Sequence, residues 1–420
     1  MPDVVVTGLG AVTPYGTGVA AFWDGLLAGR ATAGRITRFD PSVLPVRFAC
    51  EVPGFDPVAH LPRRLVRQLD PFAQYALVAA EEALTQAGLL GPATDGGLRV
   101  RLAGVDADRA GAIVASGAGG IQETAAQLER LGTGGPRQVR AYLPVAQPAS
   151  MAGGQLAIRH GLGGPTYAVT SACASAGDAI GTALDLIRSG RADVMVAGGA
   201  EAAITPLMLA GFAAAGALSR RNDAPHRASR PFDADRDGFV MGEGAGLLVL
   251  ERAAHAAARG APPLAVLAGY GATNDAYHPA RPRPDGAGSV RAMRLALADA
   301  GVDRADVDHL NAHGTATVAN DAAEAAAVRA VFGAHADRVA VTSVKSAVGH
   351  LLGAAGGVEA VATVRALQSG LVPPTLNLDH PDPACELDVV HGVPRAHAAR
   401  IAVSTSFGFG GHNAVLVFAR

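Results

Sequence analysis

The chain has 420 residues, 49% of them hydrophobic and 17% charged, with a net charge of −2. That apolar content excludes a disordered chain, and near-neutrality excludes a polycationic nucleic-acid binder. The length allows two or three folding units or one large fused pair, and 53 glycines with only 5% aromatics favour close backbone packing.

In chain order, Met1-Pro2-Asp3 leads directly into an apolar run at 4–7 with no basic stretch before it, which reads as a first strand and not as a secretion signal. Further β-type runs fall at 111–115, 167–170, 194–197, 246–250, 264–267, 307–311, 339–342 and 401–404. Stretches with helical spacing lie between many of them, at 74–86, 179–188, 290–300 and 322–332. This alternation predicts α/β layers. The uncharged stretch 202–219 contains Pro206 and is rich in alanine, so no membrane span is expected there. The cysteines, Cys50, Cys173 and Cys385, are dispersed and odd in number, which points to a reducing, cytoplasmic setting without a disulfide framework.

Three short segments occur twice in the same order. Thr7-Gly-Leu-Gly10 pairs with Ala268-Gly-Tyr-Gly271, Val114-Ala-Ser-Gly-Ala-Gly119 with Asn311-Ala-His-Gly-Thr-Ala316, and Val169-Thr-Ser-Ala-Cys173 with Val341-Thr-Ser-Val-Lys345. Three matches in register predict two related halves, 1–254 and 255–420, packed face to face.

Cys173 sits where an apolar strand gives way to a helix. The unpaired amides and positive dipole end of such a helix favour thiolate over thiol, which makes Cys173 a candidate nucleophile, although free cysteine is also among the most buried residue types. His313 and His350 each fall at a turn near a quasi-equivalent strand end of the second half, where the fold should bring them toward Cys173. Three other patterns lack what their chemistry needs. Asp233-Ala-Asp-Arg-Asp-Gly238 begins like a calcium loop but has glycine at 244, where the loop's glutamate belongs. Gly8-Leu-Gly10 lacks the third glycine of a dinucleotide fingerprint, and His309 with His313 lacks further zinc ligands nearby.

From about Val4 to Phe418 the residues resemble the β-ketoacyl synthases of the thiolase-like fold. The carrying motifs are the cysteine segment, His-Gly-Thr-Ala-Thr from His313, Val-Lys-Ser-Ala-Val-Gly-His-Leu-Leu-Gly-Ala-Ala-Gly from Val344, Arg236-Asp-Gly-Phe-Val-Met-Gly-Glu-Gly-Ala-Gly246 and Phe407-Gly-Phe-Gly-Gly-His-Asn413. The resemblance implies a five-layer α-β-α-β-α fold and a decarboxylative Claisen condensation. Cys173 would carry the acyl chain, His313 and His350 would hold the malonyl thioester oxygen, and Lys345, fixed by Glu359, would orient them. Phe409 matches the family's gating phenylalanine, and the Cys173 and Phe409 amides would take the tetrahedral oxyanion. Thr315, Thr317 and Phe407 would meet the substrate, which arrives on the phosphopantetheine arm of an acyl carrier protein. No metal or other cofactor is implied. Arg64, Arg67, Arg220 and Arg221 are candidates for carrier docking, in clusters that also hold Arg63, Arg227 and Arg230. The family dimerises, so a homodimer or a heterodimer with a chain-length-factor-like subunit is expected. Asp178-Ala179 and Asn320-Asp321 resemble the ketosynthase subunit of a type II polyketide synthase making a reduced chain. The alternatives are the elongating enzyme of type II fatty-acid synthesis and, in a different class, the non-catalytic chain-length subunit, which lacks the cysteine.

Overall fold

A computed structural model describes residues 3–420. Its main sheet contains β1 (Val4–Thr13), β2 (Ala110–Ala115), β3 (Thr166–Tyr167), β4 (Val194–Glu201), β5 (Gly244–Arg252), β6 (Ala265–Asn274), β7 (His309–Asn311), β8 (Ala340–Thr342), β9 (Ile401–Gly408) and β10 (His412–Ala419). The helices that frame it are α1 (Pro71–Gln86), α2 (Ile121–Gly134), α3 (Met151–His160), α4 (Ser175–Arg188), α5 (Pro206–Ala214), α6 (Ala287–Ala300), α7 (Val318–Phe332) and α8 (Ala355–Ser369). Among the described residues, no helix is long and apolar enough to cross a membrane.

The strand order β8-β7-β9-β10-β6-β1-β5-β4-β2-β3 shows the duplication directly. Read outward from the centre, β1-β5-β4-β2-β3 and β6-β10-β9-β7-β8 have the same connectivity, with the outer pairs parallel and the inner pairs antiparallel. Helices α4 and α8 lie between the two half-sheets, α1 and α3 cover the outside of the first, and α6 and α7 cover the outside of the second. This is the five-layer thiolase-like arrangement. Both faces of most strands are buried, so the strands are largely apolar. In β5, Leu248 and Leu250 enter the central core with Val358 and Val361 of α8, while Leu247 and Val249 join Ala76 and Ala80 of α1 outside.

The first repeated segment has a packing explanation. A Cβ on Gly8 or Gly10 would collide with the carbonyl oxygens of Ala83 or Ala79 in α1, and one on Gly269 or Gly271 with those of Ala296 or Ala292 in α6. Each glycine pair lets an outer helix lie directly on its strand, and each strand has its register shift there. The third repeat needs correction. Cys173 lies in the single turn Ala172–Ala174 just before α4, and the matching turn before α8 is Leu352–Ala354. Both turns begin with a non-glycine residue at positive φ, Ala172 at 52° and Leu352 at 49°. The structural counterpart of Cys173 is therefore Gly353, not Lys345. Residues 168–171 connect β3 to the first turn, whereas 343–351 connect β8 to the second, and that longer connection contains both Lys345 and His350.

Candidate active site

Cys173, His313, His350, Thr315, Thr317, Phe407 and Phe409 line one cavity of about 370 Å³. The second half supplies all of these except the cysteine. Gly408 explains how closely the lobes meet here, since a Cβ on it would lie 2.6 Å from the Ser171 carbonyl oxygen and 3.1 Å from the Cys173 nitrogen. The Phe409 amide that follows faces the same spot and pulls the Cys173 thiol toward the anion.

The nucleophile turn is fastened on two sides. Ser175 Oγ accepts from Ser171 N–H at 2.8 Å and donates to the Ala172 carbonyl at 2.6 Å. Ser171 Oγ donates to Asp178, whose other oxygen accepts from Tyr270 at 2.6 Å. Burial pushes the Cys173 thiol up to about 12, against the pull of Lys345 and the Phe409 amide, with Glu201 and Glu359 adding to the rise. Desolvation on the cavity wall thus works against the thiolate that the helix start was expected to favour.

His313 and His350 stand edge to face, with centroids 5.3 Å apart and planes at 86°. His350 Nδ1 accepts from Leu352 N–H at 3.3 Å, and Lys345 Nζ lies 3.2 Å from His313 Nδ1. With both Nδ1 atoms accepting, the hydrogen-bond network assigns the ring protons to Nε2. Burial and the Lys345 charge hold both rings well below the ordinary histidine range, so they are neutral donors at pH 7. Phe239 and Phe407 pack edge-on against His350 and His313, with centroids 5.3 and 5.7 Å away.

Lys345 is 2% exposed and pairs with Glu359, itself fully buried. Glu324 accepts from the His313 and Gly314 amides at 2.8 Å each and from Thr405 Oγ1 at 2.7 Å, and burial raises it to about 7. Nothing in the sequence pattern singled out Glu324, because its neighbours are assembled from a loop and a distant strand. Thr317 caps α7 through the Asn320 amide at 3.4 Å, and Thr315 Oγ1 lies 3.0 Å from Thr317 Oγ1, so the pair combines a local role with a place on the cavity wall.

The docking candidates separate. Arg64, Arg67 and Arg220 are all exposed. Arg221 is partly engaged by Asp237 at 3.7 Å and by the Asp235 carbonyl at 2.7 Å. Arg230 is only 3% exposed and paired with Asp233 at 2.9 Å, which removes it from the surface cluster read in the sequence. Asp233, Asp235 and His380 bring ligand-type atoms within 4.8 Å of one another. Both Asp233 oxygens already accept protein donors, from Arg230, Asp235, Asp379 and His380.

Comparison with known proteins shows the family. The sequence profile described as beta-ketoacyl synthase, N-terminal domain, matches residues 1–256, and the profile for the C-terminal domain matches 264–379. A 3-oxoacyl-[acyl-carrier-protein] synthase 2 from Synechocystis is 47% identical, covering 99% of this chain and 97% of that protein. Among solved structures, the ishigamide ketosynthase/chain length factor is 38% identical with a TM-score of 0.89, covering 100% of this chain and 99% of that one. A type II PKS acyl-carrier protein in complex with its ketosynthase bound to the hexaketide is 34% identical with a TM-score of 0.88, over 100% and 99% of the two chains.

Proposed function

The chain belongs to the beta-ketoacyl synthase family of carbon–carbon bond-forming acyltransferases, and on that premise we propose that it elongates acyl chains in type II fatty-acid synthesis. The support for the pathway is the 47% identity to a 3-oxoacyl-[acyl-carrier-protein] synthase 2, against 38% and 34% for the ishigamide and hexaketide ketosynthases. The polyketide reading rested on Asp178-Ala179 and Asn320-Asp321. Asp178 anchors Ser171 and Tyr270, and buried Asp321 accepts from the Phe232 amide at 2.9 Å, so these two carboxylates have local structural work that does not specify a product.

The chemistry proceeds in two stages. Cys173 sulfur attacks the thioester carbonyl of an acyl carrier protein, and the thiol proton leaves with the departing phosphopantetheine sulfur. Malonyl carrier protein then enters and its carboxylate departs as CO2. The electron pair released passes to the thioester oxygen, where the two Nε2–H groups meet the growing negative charge. The resulting carbanion attacks the Cys173 thioester carbonyl, the Cys173 and Phe409 amides receive the oxyanion, and the cysteine sulfur leaves as a thiolate that takes a proton from solvent as the β-ketoacyl product forms. Lys345 serves the histidines by keeping His313 Nδ1 an acceptor. The observation that carries this proposal is the meeting of the cysteine with two neutral, Nε2-protonated imidazoles on one cavity.

Two partners follow. The solvent-facing Arg64, Arg67 and Arg220 suit an acidic carrier protein. Exposed Leu128, Leu131, Ile158 and Tyr167 lie on α2, α3 and the edge strand β3, a face suited to a second copy of this chain. Intact-protein mass spectrometry tests the central step: wild-type protein gains the mass of one acyl group from an acyl carrier protein, and Cys173→Ala does not. Undiminished acylation of the variant rejects the nucleophile.

A further inference from the structure

Glu201, the last residue of β4, is fully buried and takes no part in the reaction steps above. Its carboxylate is nevertheless crowded with donors from both halves. Oε1 accepts from Ser116 Oγ at 2.9 Å and the Ala118 amide at 3.2 Å, and Oε2 accepts from the Gly117 amide at 2.7 Å and the Gly353 amide at 3.0 Å. Backbone touches backbone at this point. A Cβ on Gly353 would collide with Gly117 N and lie 2.8 Å from Glu201 Oε2, and one on Gly199 would lie 2.7 Å from the Gly353 carbonyl oxygen.

Gly353 is the residue after Leu352, whose amide binds His350 Nδ1 at 3.3 Å. Leu352 holds a φ of 49°, a conformation that a leucine adopts only when its surroundings impose it. The turn that sets the His350 tautomer is therefore held from behind by Glu201, through charge-assisted bonds to a fully buried carboxylate. The same carboxylate fixes the loop Ser116–Ala118, and Ser116 O accepts from Thr170 Oγ1, three residues before the nucleophile, at 3.2 Å.

We propose that Glu201 is a positioning residue for condensation, holding the Leu352–Gly353 turn so that His350 presents Nε2–H to the malonyl thioester. This rests on the role given to His350 above. Loss of the hold frees the Leu352 amide to turn away, and His350 then populates the tautomer that presents an acceptor where the enolate oxygen forms. Acylation of Cys173 makes no use of that proton, so the two half-reactions should separate.

The test measures each half-reaction on the full-length protein: acyl transfer from an acyl carrier protein by intact mass, and CO2 release from malonyl carrier protein by the pre-acylated enzyme. Glu201→Gln can keep an oxygen on Gly117 and Gly353 but replaces the charge-assisted bonds with neutral ones and sets an NH2 against the Ala118 amide. It should lower CO2 release about 10-fold while acylation stays within about threefold. Glu201→Ala should lower CO2 release by about 100-fold or more, with the glutamine variant giving partial rescue. Ser116→Ala disturbs the same carboxylate but leaves its bond to Gly353, and should keep both rates within about threefold. If Glu201→Ala does not fold, Glu201→Gln with Ser116→Ala decides. Equal losses in both half-reactions, no loss in either, or a selective loss in Ser116→Ala overturns the proposal. His350→Ala run alongside isolates the premise: if it does not separate the half-reactions, the role of His350 fails and not that of Glu201 alone.

Discussion

After β2 and after β7 the chain makes equivalent turns at the end of a buried strand, but the first turn begins with Ser116 and the second carries His313. The next pair of turns repeats the contrast. Before α4 the strained turn contains Cys173, and before α8 it contains Gly353, whose missing side chain lets Gly117 approach. One half delivers a nucleophile on the tip of a turn. The other gives up that tip and places its functional groups on the longer connection 343–351, where buried Lys345 and His350 sit. Duplication thus supplied two converging strand ends, and the chemistry came from making them unlike. Around the cavity, the buried Lys345–Glu359 pair and the two desolvated imidazoles are all on the second side.

The largest effect is expected where that asymmetry is greatest. Lys345→Met leaves the Glu359 carboxylate buried without its counter-charge, which should cost about 3–5 kcal/mol by urea unfolding. Adding Glu359→Leu should recover most of that stability, since an apolar pair of similar volume avoids the desolvation cost, but should not recover condensation. A single-variant cost below about 1 kcal/mol would show that the pair is not the buried charge network described. Next, His313→Ala and His350→Ala each remove one donor to the developing enolate. Each should lower condensation by about 10²–10³-fold, or about 2.7–4 kcal/mol of barrier. Acylation by intact mass should change far less; parallel loss in both steps would mean that the second half also serves the first stage.

Where the two halves remain alike, smaller and matched effects are expected. Gly10→Ala and Gly271→Ala each force a methyl group against a helix carbonyl, at Ala79 and Ala292. Relief requires α1 or α6 to lift from its strand, which should cost about 1–3 kcal/mol in either half. Gly10 is the more closely opposed, so its variant should be the less stable in urea. A neutral result at one position would show that its half tolerates a loose outer helix.

These contrasts also explain what could be read from the chain alone. Apolar runs located nine of the ten strands of the main sheet named above, and alanine-rich spacing located α1, α4, α6 and α7, because strands buried on both faces and helices packed in layers leave strong patterns. β10 escaped notice since it follows β9 after only the short turn Phe409-Gly410-Gly411, with no polar interval to announce a new strand. The Cys173, His313, Lys345 and His350 segments were legible as motifs. Their pairing across the repeat was not, because Thr-Ser recurs before Cys173 and before Lys345 while the backbone aligns Cys173 with Gly353. Glu201 and Glu324 were invisible for a related reason. A buried carboxylate is identified by the amides it receives, and those amides come from segments remote from it along the chain or from a loop the pattern does not place.

The smallest and sharpest test concerns the thiol itself, whose state depends on both halves. The helix that begins beyond Cys173 belongs to the first half, while Lys345 and the Phe409 amide, which favour the anion, belong to the second. Desolvation works against the lysine and the amide and raises the group to about 12. A raised thiol is protonated below that value and gains reactivity only as pH climbs toward it, at up to about tenfold per unit, or about 1.4 kcal/mol. Alkylation of Cys173 by iodoacetamide should therefore keep rising from pH 7 to pH 9 without levelling. A plateau at or below pH 8 would show that helix and lysine prevail over burial. The same series in Lys345→Met should be slower at every pH, because the first half's nucleophile then loses the cation that the second half provides.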